Sequence, residues 1–104
     1  MNRRICSLLV VMALISGASI SGSHASGNQS MGLNGGNASG QNAIAEGQGA
    51  KADGNNGIAI GLTANAEKDN AVALGNNAQA TGGNAIAIGN QAKASQGDTI
   101  AIGS

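Results

Sequence analysis

The stretch Asn84-Ala85-Ile86-Ala87-Ile88-Gly89 decides how this chain folds, because close variants of it return at a constant interval. Upstream stand Ala71-Val72-Ala73-Leu74-Gly75, Gly57-Ile58-Ala59-Ile60-Gly61 and Ala43-Ile44-Ala45-Glu46-Gly47, and downstream stands Thr99-Ile100-Ala101-Ile102-Gly103. The closing glycines fall at 47, 61, 75, 89 and 103, a period of 14 residues that never slips. A fixed period over several copies is the signature of stacked coils, in which each repeat buries its apolar side chains only by lying against its neighbours.

With each repeat begun at Asn42, Asn56, Asn70, Asn84 and Asp98, the columns become readable. Column three holds Ile44, Ile58, Val72, Ile86 and Ile100, column five holds Glu46, Ile60, Leu74, Ile88 and Ile102, and column four is alanine throughout. Branched aliphatics one residue apart and bounded by glycine predict a strand of period two. Alanine favours helix, but a glycine in every repeat and the i, i+2 spacing oppose it. A second short strand is predicted at Ala50-Lys51-Ala52, Ala64-Asn65-Ala66, Ala78-Gln79-Ala80 and Ala92-Lys93-Ala94, alanines inward and long polar residues outward. The turns carry Asn, Asp and Gly, as at Asp53-Gly54-Asn55-Asn56 and Gly82-Gly83-Asn84. The asparagine of column one suits a tight turn, and along the stack it could also form a side-chain ladder. The expected fold is all-β, a parallel β-roll of 14-residue repeats, with four to five coils rising about 20 Å.

The first strand also speaks to association. A sheet with one wet face alternates apolar with polar, yet here the in-between positions are alanine, so both faces are dry. On this reading the large aliphatics fill the interior against the alanines of the second strand. The alanine face is then covered by a neighbouring subunit, which makes the chain a homo-oligomer. Which parity faces inward stays open at this level.

The first quarter of the 104 residues reads differently. Asn2-Arg3-Arg4 precedes an apolar run, Ile5 to Ile15, broken only by Cys6 and Ser7, and small residues follow up to Ser23-His24-Ala25. This is the layout of a secretory signal peptide over residues 1–25, too short for a membrane span of roughly 20 apolar residues. Residues 26–41, rich in Gly, Ser and Asn, read as a flexible leader or a degenerate repeat, and residues 42–104 as the repeats proper. Without residues 1–25, 79 remain, with no Cys, His or Arg, and with Lys51, Lys68 and Lys93 set against five acids for a net charge of −2. That composition excludes a disulfide scaffold and offers nothing to hold nucleic acid, having no basic patch and no aromatic side chain. Neither a membrane span nor a self-sufficient globular core is expected of the mature chain, so partners are implied.

No catalytic, cofactor-binding or metal-ligating residues emerge. His24 falls in the segment to be removed, and the carboxylates Glu46, Asp53, Glu67 and Asp69 scatter over different columns. Asp53 and Glu67 share column twelve, where a solvated ridge outweighs an acid–base pair. A six-residue acyltransferase repeat does not divide 14. The nine-residue calcium repeat with its regular Asp is missing, and Thr63, Thr81 and Thr99 fall in three different columns, against an ice-binding array. Two sequons, Asn28-Gln29-Ser30 and Asn37-Ala38-Ser39, carry little weight. Stacked Asn and Gln favour cross-β assembly, but frequent glycine and spaced lysines oppose it.

The segment Asn84-Ala85-Ile86-Ala87-Ile88-Gly89-Asn90-Gln91-Ala92-Lys93-Ala94 resembles the head repeat of the YadA-like trimeric autotransporter adhesins, Asn-Ser-Val-Ala-Ile-Gly followed by two variable residues and spaced alanines. The likeness runs over about residues 42 to 104. It implies a left-handed parallel β-roll assembled as a homotrimer, and a non-enzymatic function, attachment to host matrix proteins or cells. The consensus Ser is replaced by Ala43, Gly57, Ala71, Ala85 and Thr99. The segments matching those linked to collagen binding in some members are Asn70 to Gly75 and Asn84 to Gly89, and no ligand is assigned from them. The family displays its heads on a stalk with an outer-membrane anchor, whereas this sequence stops at Ile102-Gly103-Ser104. The expectation is therefore the N-terminal piece of a cell-surface adhesin. The alternative is a small secreted or periplasmic repeat protein, or truncated product, without anchor or independent adhesive activity.

Overall fold

The computed structural model describes residues 29–104, so the predicted signal peptide lies outside the described residues. Within them the chain winds as a parallel β-solenoid. The three-residue strands are β1 (Met31–Leu33), β3 (Ile44–Glu46), β5 (Ile58–Ile60), β7 (Val72–Leu74), β9 (Ile86–Ile88) and β11 (Ile100–Ile102). Alternating with them are the two-residue strands β2 (Asn37–Ala38), β4 (Lys51–Ala52), β6 (Asn65–Ala66), β8 (Gln79–Ala80) and β10 (Lys93–Ala94). The odd strands form one six-stranded sheet in the order β1-β3-β5-β7-β9-β11, and the even strands form a five-stranded sheet, all neighbours parallel. Each coil is thus two short strands and two turns. Equivalent residues pair in register: Ile58 with Val72, Ala59 with Ala73, Ile60 with Leu74.

Both turns are set by a residue in the left-handed region. In the first, the Ala64 N–H donates to the Gly61 carbonyl at 3.2 Å and Thr63 sits at φ 55°. In the second, the Gly57 N–H donates to the Gly54 carbonyl at 3.1 Å and Asn56 sits at φ 59°. A positive φ at the third residue alone is the sign pattern of a type II turn, which favours Gly and Asn there. Asn42, Asn70, Asn77 and Asn84 fill such positions. Gln91 and Asp98 sit there too, and Thr63 is the β-branched member of the set, whose side chain pays a steric penalty in that region. Hydrogen bonding between coils continues through the turns, for example from the Gly75 N–H to the Ile60 carbonyl at 2.8 Å and from the Asn70 N–H to the Asn55 carbonyl at 2.8 Å. Little backbone is left unpaired between the coils, as a buried polar chain requires.

The core settles the parity that the columns left open, against the arrangement with the aliphatics inside. Its members are the alanines of columns two, four, nine and eleven, such as Ala71, Ala73, Ala78 and Ala80, all 0% exposed, while the aliphatics of columns three and five point outward. Among the described residues no side chain larger than alanine is fully buried. Closure explains this. A 14-residue coil built of short strands and tight turns brings its two sheets close enough for methyl groups to meet, and isoleucine in both layers would force them apart. The second strand behaves as expected, with Ala52, Ala66 and Ala80 inward and Lys51 outward.

Residues 29–41 add a coil that the 14-residue columns do not display. Met31 pairs with Ile44, 13 positions on, whereas Asn37 pairs with Lys51 at the usual 14. The turn Asn34-Gly35-Gly36 is one residue shorter than Gly47-Gln48-Gly49-Ala50, which shifts the first strand out of register in sequence but not in space. Met31 and Leu33 then take the outward positions, and Gly32 takes the place of the inward alanine.

Candidate functional site

With its small residues consumed by the core, the roll presents its large apolar ones to the outside. On the odd-strand sheet the aliphatics of columns three and five form two adjacent files, with Ile44 37% and Ile60 36% exposed in the middle of the stack, rising to 67% and 73% at Ile100 and Ile102 on the last strand. Strands about 4.8 Å apart make the strip about 24 Å tall over six strands. Large apolar side chains gathered in one strip on a small chain form the kind of exposed patch that interaction sites use. Glu46 breaks it: its carboxylate stands between Leu33 and Ile60 in register, where every other coil carries an aliphatic.

The second turn carries a polar spine. Asn56 Nδ2 donates to Asn70 Oδ1 at 3.2 Å, Asn70 to Asn84 at 3.0 Å, and Asn84 to Asp98 Oδ1 at 2.9 Å, with a longer contact of 3.5 Å from Asn42 to Asn56. The donors all run toward the C-terminus, ending on a carboxylate that only accepts. A parallel file binds backbone, since the Gln41 N–H donates to Asn55 Oδ1 at 3.0 Å and the Asn55 N–H to Asp69 Oδ1 at 2.9 Å. Column-one asparagine therefore serves the turn and the ladder together. Being exposed, each side-chain bond contributes little by itself, at the lower end of about 0.5–1.5 kcal/mol.

The outer face of the even-strand sheet is polar, with Asn37, Lys51, Asn65, Gln79 and Lys93 in register. Asn65 Oδ1 is buried among these neighbours without a hydrogen-bond partner. Beside them Asp53 and Glu67 are both exposed, one coil apart on a common ridge. The sequon asparagine Asn37 is exposed on β2, where its Oδ1 accepts from the Ser39 hydroxyl at 3.3 Å. Among the described residues no three of His, Cys, Asp and Glu gather as a metal site would need, and His24 and Cys6 lie outside them. No helix among the described residues is long and apolar enough to cross a membrane.

Reading the sequence missed the aliphatic strip, and for residues 26–41 it left a flexible leader and a degenerate repeat as alternatives. The strip was detectable in principle. Alanine or glycine recurs in columns two and four as well as in nine and eleven, Thr99 apart, so both strands offer a small set, and only that pairing closes a short coil. The first coil was hidden by its one-residue deletion.

No curated protein and no solved structure matches the chain. A family model does match, described as the YadA head domain repeat (2 copies), over residues 38–64, 52–78 and 80–104. Each matched segment brackets whole coils and together they take in most of the solenoid, including the aliphatic strip and the asparagine spine, so the chain belongs to the YadA head domain repeat family.

Proposed function

We propose that this chain is a head of a surface-displayed adhesin, assembled as a homotrimer through its aliphatic strip and attaching to host matrix or cells through its polar columns. The observation that carries the reading is the strip itself: a roll with an alanine core leaves its largest apolar side chains uncovered, and burying them against copies of the same strip recovers about 25 cal/mol per Å². Adhesins of this family are generally trimeric, and a strip on one sheet of each roll suits three rolls facing a common axis. That arrangement would leave the asparagine spine and the Lys51–Lys93 face outward, as varied, hydrogen-bond-rich surfaces for recognition. We read the head as non-enzymatic and free of cofactors. Residues 1–25 would direct it across the inner membrane, residues 26–41 would serve as a leader or degenerate first repeat, and residues 42–104 would form the repeats proper, displayed at the cell surface.

Light scattering on the purified protein, paired with binding to immobilised matrix proteins and to cultured host cells, tests this. A trimer that binds saturably is expected. A stable monomer with native sheet content refutes the assembly, and a trimer that binds neither matrix nor cells refutes the adhesive role.

A further inference from the structure

We infer that the Asn34–Gly35 step is a site of spontaneous covalent modification, where the first coil converts its own asparagine to aspartate or isoaspartate while Asn56–Gly57 is protected. These are the only two Asn-Gly steps in the sequence, and glycine favours the reaction because no Cβ hinders its nitrogen. The glycine backbone nitrogen gives up its proton to base and attacks the asparagine Cγ. The Cγ–Nδ2 bond breaks, the departing amide takes up a proton and leaves as ammonia, and a cyclic succinimide remains. Water then adds to either ring carbonyl and opens its C–N bond, so the step needs neither oxidant nor reductant.

The fold treats the two steps differently. Asn34 and Gly35, at φ 52° and 87°, are both exposed in a turn that the Gly36 N–H closes onto the Leu33 carbonyl at 2.9 Å. Positive φ at both central residues is the sign pattern of a type I′ turn. Among the described residues, neither the Gly35 N–H nor the Asn34 side chain has a hydrogen-bond partner. β1 is also the end strand of its sheet, paired only with β3, and such ends open most readily. At Asn56 both reacting groups are tied. The Gly57 N–H donates to the Gly54 carbonyl at 3.1 Å, Asn56 Nδ2 donates to Asn70 Oδ1 at 3.2 Å, and Asn56 Oδ1 accepts from Asn42 at 3.5 Å. Bringing Cγ onto the glycine nitrogen there breaks these bonds, which slows the reaction at least about tenfold. The isoaspartyl product routes the chain through Cβ and Cγ, adding a backbone atom to a turn one residue shorter than its neighbour. The modification therefore loosens the first coil and leaves a carboxylate on it.

Incubating the purified protein in mildly alkaline buffer, with a parallel sample in urea, and mapping its peptides by mass spectrometry tests this. In the folded protein Asn34 is expected to convert at least about tenfold faster than Asn56, and in urea the two rates should converge. Asn34→Gln should stop conversion at that turn, with circular dichroism confirming the sheet content; Gln91 at φ 63° shows that the roll accepts glutamine in this backbone region. Equal rates in the folded protein, or faster conversion at Asn56, would overturn the proposal, and so would an Asn34 that converts only in urea.

Discussion

Replacing Gly75 by alanine tests the way the coils stack. Gly75 closes its strand at φ 132°, a backbone conformation open to glycine and strained by about 1–3 kcal/mol for other residues. Sterics add to this, because a Cβ on Gly75 would lie 2.5 Å from the carbonyl oxygen and 2.8 Å from the carbonyl carbon of Gly89 on the next coil. Neither atom belongs to a side chain that can swing away. The Gly89 carbonyl accepts from the Ala92 N–H at 3.3 Å in its own turn, and the Gly89 N–H donates to the Leu74 carbonyl at 2.8 Å across the coils. Relieving the clash means lifting one coil off another, at the further cost of interfacial hydrogen bonds at about 1 kcal/mol each. A total loss of about 3–5 kcal/mol is expected, enough to unfold a marginal domain. The control is Gly83→Ala, since nothing lies within 4 Å of a Cβ there and φ is not in the left-handed region; its expected change is within about 0.5 kcal/mol. Urea unfolding followed by circular dichroism, at one protein concentration, compares the two. Equal stabilities for Gly75→Ala and Gly83→Ala would refute the stacking argument.

Four more substitutions probe other levels of the structure. Ala73→Leu drives a large side chain between Ala59 and Ala87 in the methyl core, so a loss of about 3 kcal/mol or more is expected in thermal unfolding; a gain would restore the aliphatic-inside packing. Thr63→Asn exchanges a β-branched residue at φ 55° for one that tolerates that region, and denaturant titration should register a gain of about 1 kcal/mol, with a loss counting against backbone strain. Ile88→Asp puts a charge on the outer strip, where light scattering should find a monomer that keeps its sheet signal, at several kcal/mol of association energy, while Lys93→Ala changes neither. An Ile88→Asp protein that unfolds outright would place Ile88 in the core instead.

How far the columns could be read depended on what each residue type constrains. The glycines of column six announced the period, and the structure assigns them a physical task, because their backbones touch coil to coil. Column-one asparagine was legible as a turn residue, while its amide ladder needed the coils to be in register before Asn70 and Asn84 could meet at 3.0 Å. Thr63 was weighed only as one member of a possible threonine array, and its strained backbone is invisible in a residue name. Met31 and Leu33 were overlooked because counting in fourteens steps past them. Ile88 and Ala87 show the limit most clearly: their alternation was read correctly, and the direction of each was open until the second sheet was in place.

By itself, then, the sequence determined the period, the parallel strands, the turn chemistry and the kinship to the head repeats, because each of these follows from residues adjacent in the chain or one repeat apart. The tertiary structure alone decided which face is the inside. That choice rests on the distance between two sheets, set when the turns close the coil, and at that distance only methyl groups fit. The larger side chains were left outside, as the aliphatic strip of the odd-strand sheet.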